Sequence, residues 1–277
     1  MCKVSIVIPC YNHGKFIDEA LRSVEVISEK NLYEIIIVND GSTDEFTNTR
    51  LKELKEVGYN VIFQKNSGLA KSRNNGIVAS KGKYILPLDA DNKIRPEYIY
   101  EGCKILDECP DVNIVYGDAQ KFGDEEGILK QGGYNLQKLM LTNYIDACAI
   151  YRREVWERTG GYDFRMPYQG IEDWAMWLNA SFLSMKFHYL NKVVFDYRVL
   201  GNSMIRELRK NKIKGNANIE YLIKKHPEHF GPQYIDDDVM SKFETSPIGF
   251  FGKIILKKYF PKSFNKKVEK GSLRKYI

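Results

Sequence analysis

Cysteine is sparse in this 277-residue chain, and what there is forms no pattern. Cys2, Cys10, Cys103, Cys109 and Cys148 are odd in number and scattered, with no C-x-x-C pair and no histidine at metal-ligand spacing beside them. That argues against a disulfide framework and a zinc site, and fits a reducing cytoplasm. Long apolar runs are missing too: no window approaches the roughly 18 apolar residues of a transmembrane helix. The opening "MCKVSIVIPCYNHG" has a short apolar run without a small-residue cleavage pattern behind it, so it reads as a first strand and not as a signal sequence. No G-x-G-x-x-G follows that strand, as a dinucleotide oxidoreductase would require. Nor does "PCYNHGKF" supply the Gly-rich, Arg/Lys-bearing loop expected of a nucleotidyltransferase. There is no internal repeat and no low-complexity linker.

The composition, 43% hydrophobic and 28% charged, is that of a soluble globular protein. Its length allows a sizeable core. The net charge of +6 is unevenly placed, because from Ser246 to Ile277 nine Lys or Arg stand against one acid, Glu269. The excess basicity therefore belongs largely to the tail.

Through the first hundred residues apolar runs alternate with helical patterns, which predicts βαβ units and a mostly parallel sheet flanked by helices. "VSIVIPC", "EIIIVND", "NVIFQ" and "YILPLD" read as buried strands. Between them, Lys15 to Val26 places Phe16, Ala20, Leu21 and Val24 on one helical face. Ser42 or Thr43 is the expected N-cap of a helix carrying Phe46, Leu51 and Leu54. "GLAKSRNNGIVAS" makes a further helix. Beyond Pro96, a helix with Ile99, Cys103 and Leu106 in register leads to a strand, "VNIVYGDAQKF". "DACAIYRREVWERTGGYD" reads as a strand running into a short helix closed by Gly160 and Gly161. "GIEDWAMWLNASFL" is a helix with its acids at the front, and "KVVFDYR" another strand.

The first four strands end in Asn12, Asp40, Asn66 and Asp89, and in open α/β sheets ligands bind beyond the carboxyl ends of strands. Asp89 and Asp91 follow the fourth strand directly. Two carboxylates one residue apart at such an exit can share a hard divalent cation, Mg2+ or Mn2+, whose other positions go to water and phosphate oxygens. A second copy of the spacing, Asp236 and Asp238 in "YIDDDVM", has no apolar strand delivering it. Asp40 serves either as a turn residue or as an acceptor for a base or ribose. Arg73 is either a solvated helix charge or part of the same site. Glu172 and Asp173 open a helix, where acids cap free amides, the reading that spacing alone favours; Asp173 could instead act as a general base toward a hydroxyl. Trp174 and Trp177 flank it at helical spacing, for core packing or for a sugar's apolar face.

"SIVIPCYN", "EIIIVNDGSTD", "NSGLAKSRNNG", "LPLDADN" and "GGYDFRMPYQGIEDWAMWL" together resemble the family 2 glycosyltransferases of GT-A fold, over about residues 3 to 204. The resemblance implies a GT-A domain at 1–204, with a donor half (1–100) and an acceptor and catalytic half (101–204), followed by a basic helical extension at 205–277. It implies inverting transfer of a sugar from a nucleotide-sugar, most often a UDP-sugar, to a hydroxyl of a glycan, a lipid-linked saccharide or a glycoprotein. By it, Pro9, Tyr11 and Asn12 line the nucleoside pocket, Asp40 reads the base and Arg73 lies by the nucleotide. Asp89 faces ribose or metal, Asp91 holds the metal, Asp173 is the catalytic base, and Glu172 positions the acceptor. The segment "DYRVLGNSMI" departs from the pattern, with Leu200 where many relatives carry a histidine that completes the metal site. The Q-x-x-R-W motif and membrane spans of processive synthases are absent, so single addition is expected. The alternative is a catalytically silent nucleotide-sugar or carbohydrate-binding subunit.

The tail segment "PIGFFGKIILKKYF" puts Phe251, Ile254, Ile255 and Tyr259 on one helical stripe opposite Lys253 and Lys257, with Lys258 inside the stripe. Such a tail (247–277) rests on an anionic membrane surface, packs on the domain or forms a dimer. The expected location is the cytoplasm, with peripheral contact at the inner membrane face. No nucleic-acid motif accompanies the basic residues.

Overall fold

The computed structural model describes residues 3–201, 211–230, 256 and 259–270. The chain divides into two compact units, Met1–Phe164 with Ile171–Gly201 and Arg165–Gly170 with Asn202–Ile277.

In the first unit, strands β1 (Val4–Cys10), β2 (Tyr33–Asn39), β3 (Asn60–Phe63) and β4 (Tyr84–Pro87) alternate with helices α1 (Gly14–Glu25), α2 (Glu45–Glu56) and α3 (Leu69–Val78). They pair in parallel in the order β3-β2-β1-β4. Every residue of β1 is buried, which is why it reads as a continuous apolar run and not as an alternation. Ile6, Ile8 and Cys10 join Ile17, Leu21 and Leu51 in one core cluster. On the other face Val7 meets α3 at Gly76, where a Cβ would lie only 2.4 Å from Val7 Cγ1. Glycine there lets the helix lie close against the sheet.

The rest of the unit holds β5 (Lys93–Ile94), α4 (Pro96–Glu108), β6 (Val112–Gly123), β7 (Gly127–Leu129), α5 (Leu136–Leu141), β8 (Ile150–Arg152), α6 (Arg153–Thr159), α7 (Glu172–Phe182) and β9 (Lys186–Val199). β8 joins β4 to β6 through antiparallel pairs, β6 runs parallel to β9, and β9 pairs antiparallel with β5. The parallel half predicted from the alternation thus continues into a mixed, nine-stranded sheet.

Three local expectations are corrected. The N-cap of α2 is Asp44, whose Oδ1 accepts from Thr47 N at 2.8 Å; Ser42 instead accepts from the Asn12 amide. Phe46 is 60% exposed, because the buried face runs through Thr47, Leu51 and Leu54. In α1 the buried position is Ile17, while Phe16 is half-buried beneath the Arg198 guanidinium, 4.3 Å from its ring.

In the second unit, helix α8 (Lys212–Lys225) buries Asn218. The Asn218 amide both donates to Tyr168 O and accepts from Tyr168 N, so one side chain engages both polar groups of that residue's backbone. Helix α9 (Pro261–Glu269) carries Lys262, Lys266 and Lys267, preceded by exposed Tyr259 and Phe260. Cys2, Asp236, Asp238, Phe251, Lys253, Ile254, Ile255, Lys257 and Lys258 lie outside the described residues.

Candidate active site

The carboxyl ends of β1 to β4 come side by side, and each ladder runs one bond further into its loop. Asp40 N donates to Cys10 O, Gln64 N to Asn39 O and Leu88 N to Val7 O. After β1 the chain turns at Asn12, which holds a left-handed backbone (φ 56°) that side chains other than glycine seldom adopt. Its side chain locks the turn: Oδ1 accepts from Thr43 N at 2.7 Å and Asp44 N at 3.2 Å, and Nδ2 donates to Thr43 Oγ1. Pro9 is buried in β1, and Tyr11 beyond it is 44% exposed.

Gly41 follows β2 with φ +66°, and a Cβ there would lie 2.5 Å from Asn66 N. Asp40 beside it is 4% exposed. Its Oδ1 accepts from Gln64 Nε2 and Ser67 N and its Oδ2 from Gly68 N, each at 2.8 Å. Asp40 therefore ties the loop between β3 and α3 to the end of β2, and of a carboxylate's about four acceptor sites three are taken.

Arg73 is not a solvated helix charge: it is 2% exposed. Nη2 lies 2.7 Å from Asp89 Oδ1, Nη1 lies 2.6 Å from Glu172 Oε1, and the guanidinium stands over the Tyr162 ring. Burial alone would lower its proton affinity, but Asp89 and Glu172 override that and hold it well above its ordinary value. The neighbouring Asn74 secures the "GGYD" loop, donating to Tyr162 O and accepting from Tyr162 N and Trp156 Nε1.

Asp91 lies beside His13, whose Nδ1 is 3.9 Å from its Oδ2. Burial first, and the Asp89 charge second, push its carboxyl up to about 6. Arg198 of β9 buttresses this turn: Nε donates to Asp91 O, its backbone N donates to Asn92 Oδ1, and Nη2 pairs with Glu19. The two aspartates fit a hard divalent cation. They are oxygen donors, and the repulsion from Asp89 that adds to burial in raising Asp91 is what a bound cation relieves. Among the described residues no group of three or more His, Cys, Asp or Glu is arranged to hold an ion.

Glu172 and Asp173 open α7 and are 3% and 9% exposed. Burial first and Glu172 second push Asp173 up to about 7, against Arg73 and a hydrogen bond from Asn143. Asp146, in the segment before β8, is likewise pushed up to about 6 by burial and then by Asp89. Trp174 and Trp177 are 7% and 0% exposed, so both belong to packing; the Trp174 indole N–H donates to Leu139 O.

Arg73, Asp89, Glu172 and Asp173 thus form one continuous group, and Asp91 follows Asp89 by two residues. Asp40 and Asn12 organise the adjoining loops of β1 to β3. Sequence reasoning missed Asn74, Asn143, Asp146 and Arg198. For Arg198 a signal existed, since it directly follows Tyr197 in "DYRV" at the end of a long strand.

A profile described as Glycosyl transferase family 2 matches residues 5–160. Glycosyltransferase GlyA of Streptococcus pneumoniae is 25% identical over 257 residues, a match covering 81% of this chain and 36% of that protein's length. Among solved structures, residues 1–349 of S. aureus TarS in complex with UDP-GlcNAc superpose with TM-score 0.63 at 18% identity, covering 79% of this chain and 65% of that one. Mannosyltransferase PcManGT from Pyrobaculum calidifontis, in complex with GDP-Man and Mn2+, superposes with TM-score 0.59 at 18% identity, covering 82% and 64%. These structural likenesses are likenesses of fold.

Proposed function

The chain belongs to glycosyl transferase family 2 and has the GT-A fold, and on that premise we propose that it is an inverting hexosyltransferase using a UDP-sugar donor. The acceptor is a hydroxyl of a glycan, a lipid-linked saccharide or a glycoprotein. The observation that carries this reading is the buried Arg73, which ties Asp89 at the end of β4 to Glu172 at the start of α7. It joins a diphosphate-side carboxylate to the helix that opens with a carboxyl poised near neutrality.

In this reading residues 1–100 form the donor half, 101–204 the acceptor half and 205–277 a basic extension. Pro9, Tyr11 and Asn12 bound the nucleoside pocket, and the remaining acceptor site of Asp40 faces the base. Asp89 and Asp91 would hold Mn2+ or Mg2+. When bound, that cation offsets negative charge developing on the diphosphate leaving group. Asp173, ionised, takes the proton from the acceptor hydroxyl as its oxygen bonds to the anomeric carbon. The bond from that carbon to the diphosphate breaks on the opposite face, and UDP leaves with the bonding pair. Glu172, held by Arg73, positions the acceptor.

Proton NMR of the product tests the stereochemistry. An α-linked UDP-sugar gives a β-linked product, and an α-linked product would overturn the single displacement.

We assign the basic tail, with Lys262, Lys266 and Lys267 on α9, to contact with an anionic membrane surface, where a lipid-linked acceptor is found; dimerisation is the competing reading. Among the described residues no helix is long and apolar enough to cross a membrane. Flotation on anionic liposomes, comparing the full chain with one ending at Thr245, tests the assignment. Equal binding of the two would sink it.

A further inference from the structure

Asp173 is surrounded by groups of its own sign. Glu172 precedes it on α7 and Asp146 faces it from the segment before β8, while the Tyr162 and Tyr197 hydroxyls, kept uncharged by burial, interact with it from two further elements. Arg73 offsets them, but its guanidinium is already divided between Asp89 and Glu172. Within the helix, Asp173 Oδ1 accepts from Trp174 N.

The remaining donor among the described residues is Asn143, in the loop after α5, whose Nδ2 lies 3.1 Å from both Oδ1 and Oδ2 of Asp173. Its own carbonyl, Oδ1, is buried and has no hydrogen-bond partner among the described residues. Turning the amide over would set that carbonyl against an ionised carboxylate, acceptor against acceptor. The amide orientation is therefore dictated by Asp173, even though it leaves that oxygen without a partner among the described residues.

We propose that Asn143 is the positioning residue of the catalytic base, fixing the orientation of the Asp173 carboxylate through both its oxygens and favouring the charged form that accepts the acceptor's proton. This rests on the reading of Asp173 as base. Asn143 touches neither donor nor acceptor in this role; it acts through Asp173.

The test uses the full chain as native protein, Asn143→Ala and Asn143→Asp. Carboxyl-13C NMR follows the titration of Asp173, with Asp173→Asn identifying its resonance, and calorimetry with UDP and Mg2+ checks that the pocket is intact. Losing a hydrogen bond to a charged group should raise the Asp173 pKa by about one unit in Asn143→Ala. The rise should be larger in Asn143→Asp, which is nearer asparagine in shape but adds a like charge. A merely structural role predicts the reverse order, with alanine the more disruptive. An unchanged titration in both variants, or a larger shift in Asn143→Ala, overturns the proposal. Should Asn143→Ala fail to fold, Asn143→Leu, nearer asparagine in size and without a donor, takes its place, and an unmoved Asp173 titration in it overturns the proposal. Undiminished donor turnover by Asp173→Asn would instead sink the base reading, while the NMR shift would still report on Asn143.

Discussion

Asp89 and Glu172, far apart in the chain, share one guanidinium: Arg73 reaches Asp89 at 2.7 Å and Glu172 at 2.6 Å while itself 2% exposed. Through that link the end of β4 and the start of α7 form one electrostatic unit, in which no charge changes without altering the others.

Arg73→Ala leaves Glu172 buried without that cation. Removing one partner of a buried pair costs about 3–5 kcal/mol, with most of the weight on Glu172, since the Asp89 side chain is 34% exposed. Arg73→Lys keeps the charge but not the planar fork, and loses less. Urea unfolding at pH 8 measures both. A loss under about 1 kcal/mol in Arg73→Ala, the range of exposed pairs, would contradict the shared role.

In the proposed mechanism transfer requires Asp173 ionised, and burial followed by Glu172 pushes its carboxyl up to about 7. The kcat/KM profile should therefore fall as pH drops below about 7. Asp173→Asn should lower kcat by about 100- to 10,000-fold. A flat profile between pH 5.5 and 8, at about constant donor saturation, speaks against this assignment.

The same shift has a cost in stability. The folded pKa of Asp173 is raised from 3.8 to about 7, so its contribution is fully present below about pH 4 and is lost as pH rises through about 7. Asp173→Asn should thus be more stable than the native chain at pH 8, by about 0.5–2 kcal/mol. The gain should vanish near pH 4. Equal thermal stability of the two at pH 8 would refute the sign.

Gly41→Ala meets two obstacles, a φ of +66° and a Cβ 2.5 Å from Asn66 N. The left-handed backbone alone costs about 1–2 kcal/mol, and relieving the clash displaces the loop that Asp40 anchors. Lower stability and weaker UDP binding by calorimetry are expected together. Native UDP affinity in this variant would separate the loop from the nucleoside pocket.

How much of this could be read from the sequence depended on the range of the interaction. The ends of β1 to β4 were legible, because continuous apolar runs stop abruptly at polar residues. So was α7, with two acids at its N-terminus. The α2 cap was ambiguous locally: Ser42, Thr43 and Asp44 are all capping types, and the turn at Asn12 selects among them by engaging Ser42 and Thr43. The burial of Arg73 was invisible, because α3 reads as polar around it and its partners stand 16 and 99 residues away. Asn143 left no trace either, since it lies in a loop without periodicity. Trp174 and Trp177 resolve to core because both faces of α7 are covered.

The most direct test of the central claim is UDP release from a panel of UDP-sugars with Mn2+, comparing the native chain, Asp91→Ala, Asp173→Asn and an EDTA control. A metal-assisted transferase turns over one donor, and that turnover is lost in both variants and with EDTA. A chain that binds UDP tightly yet consumes no donor would contradict the account and leave a silent nucleotide-sugar-binding subunit in its place.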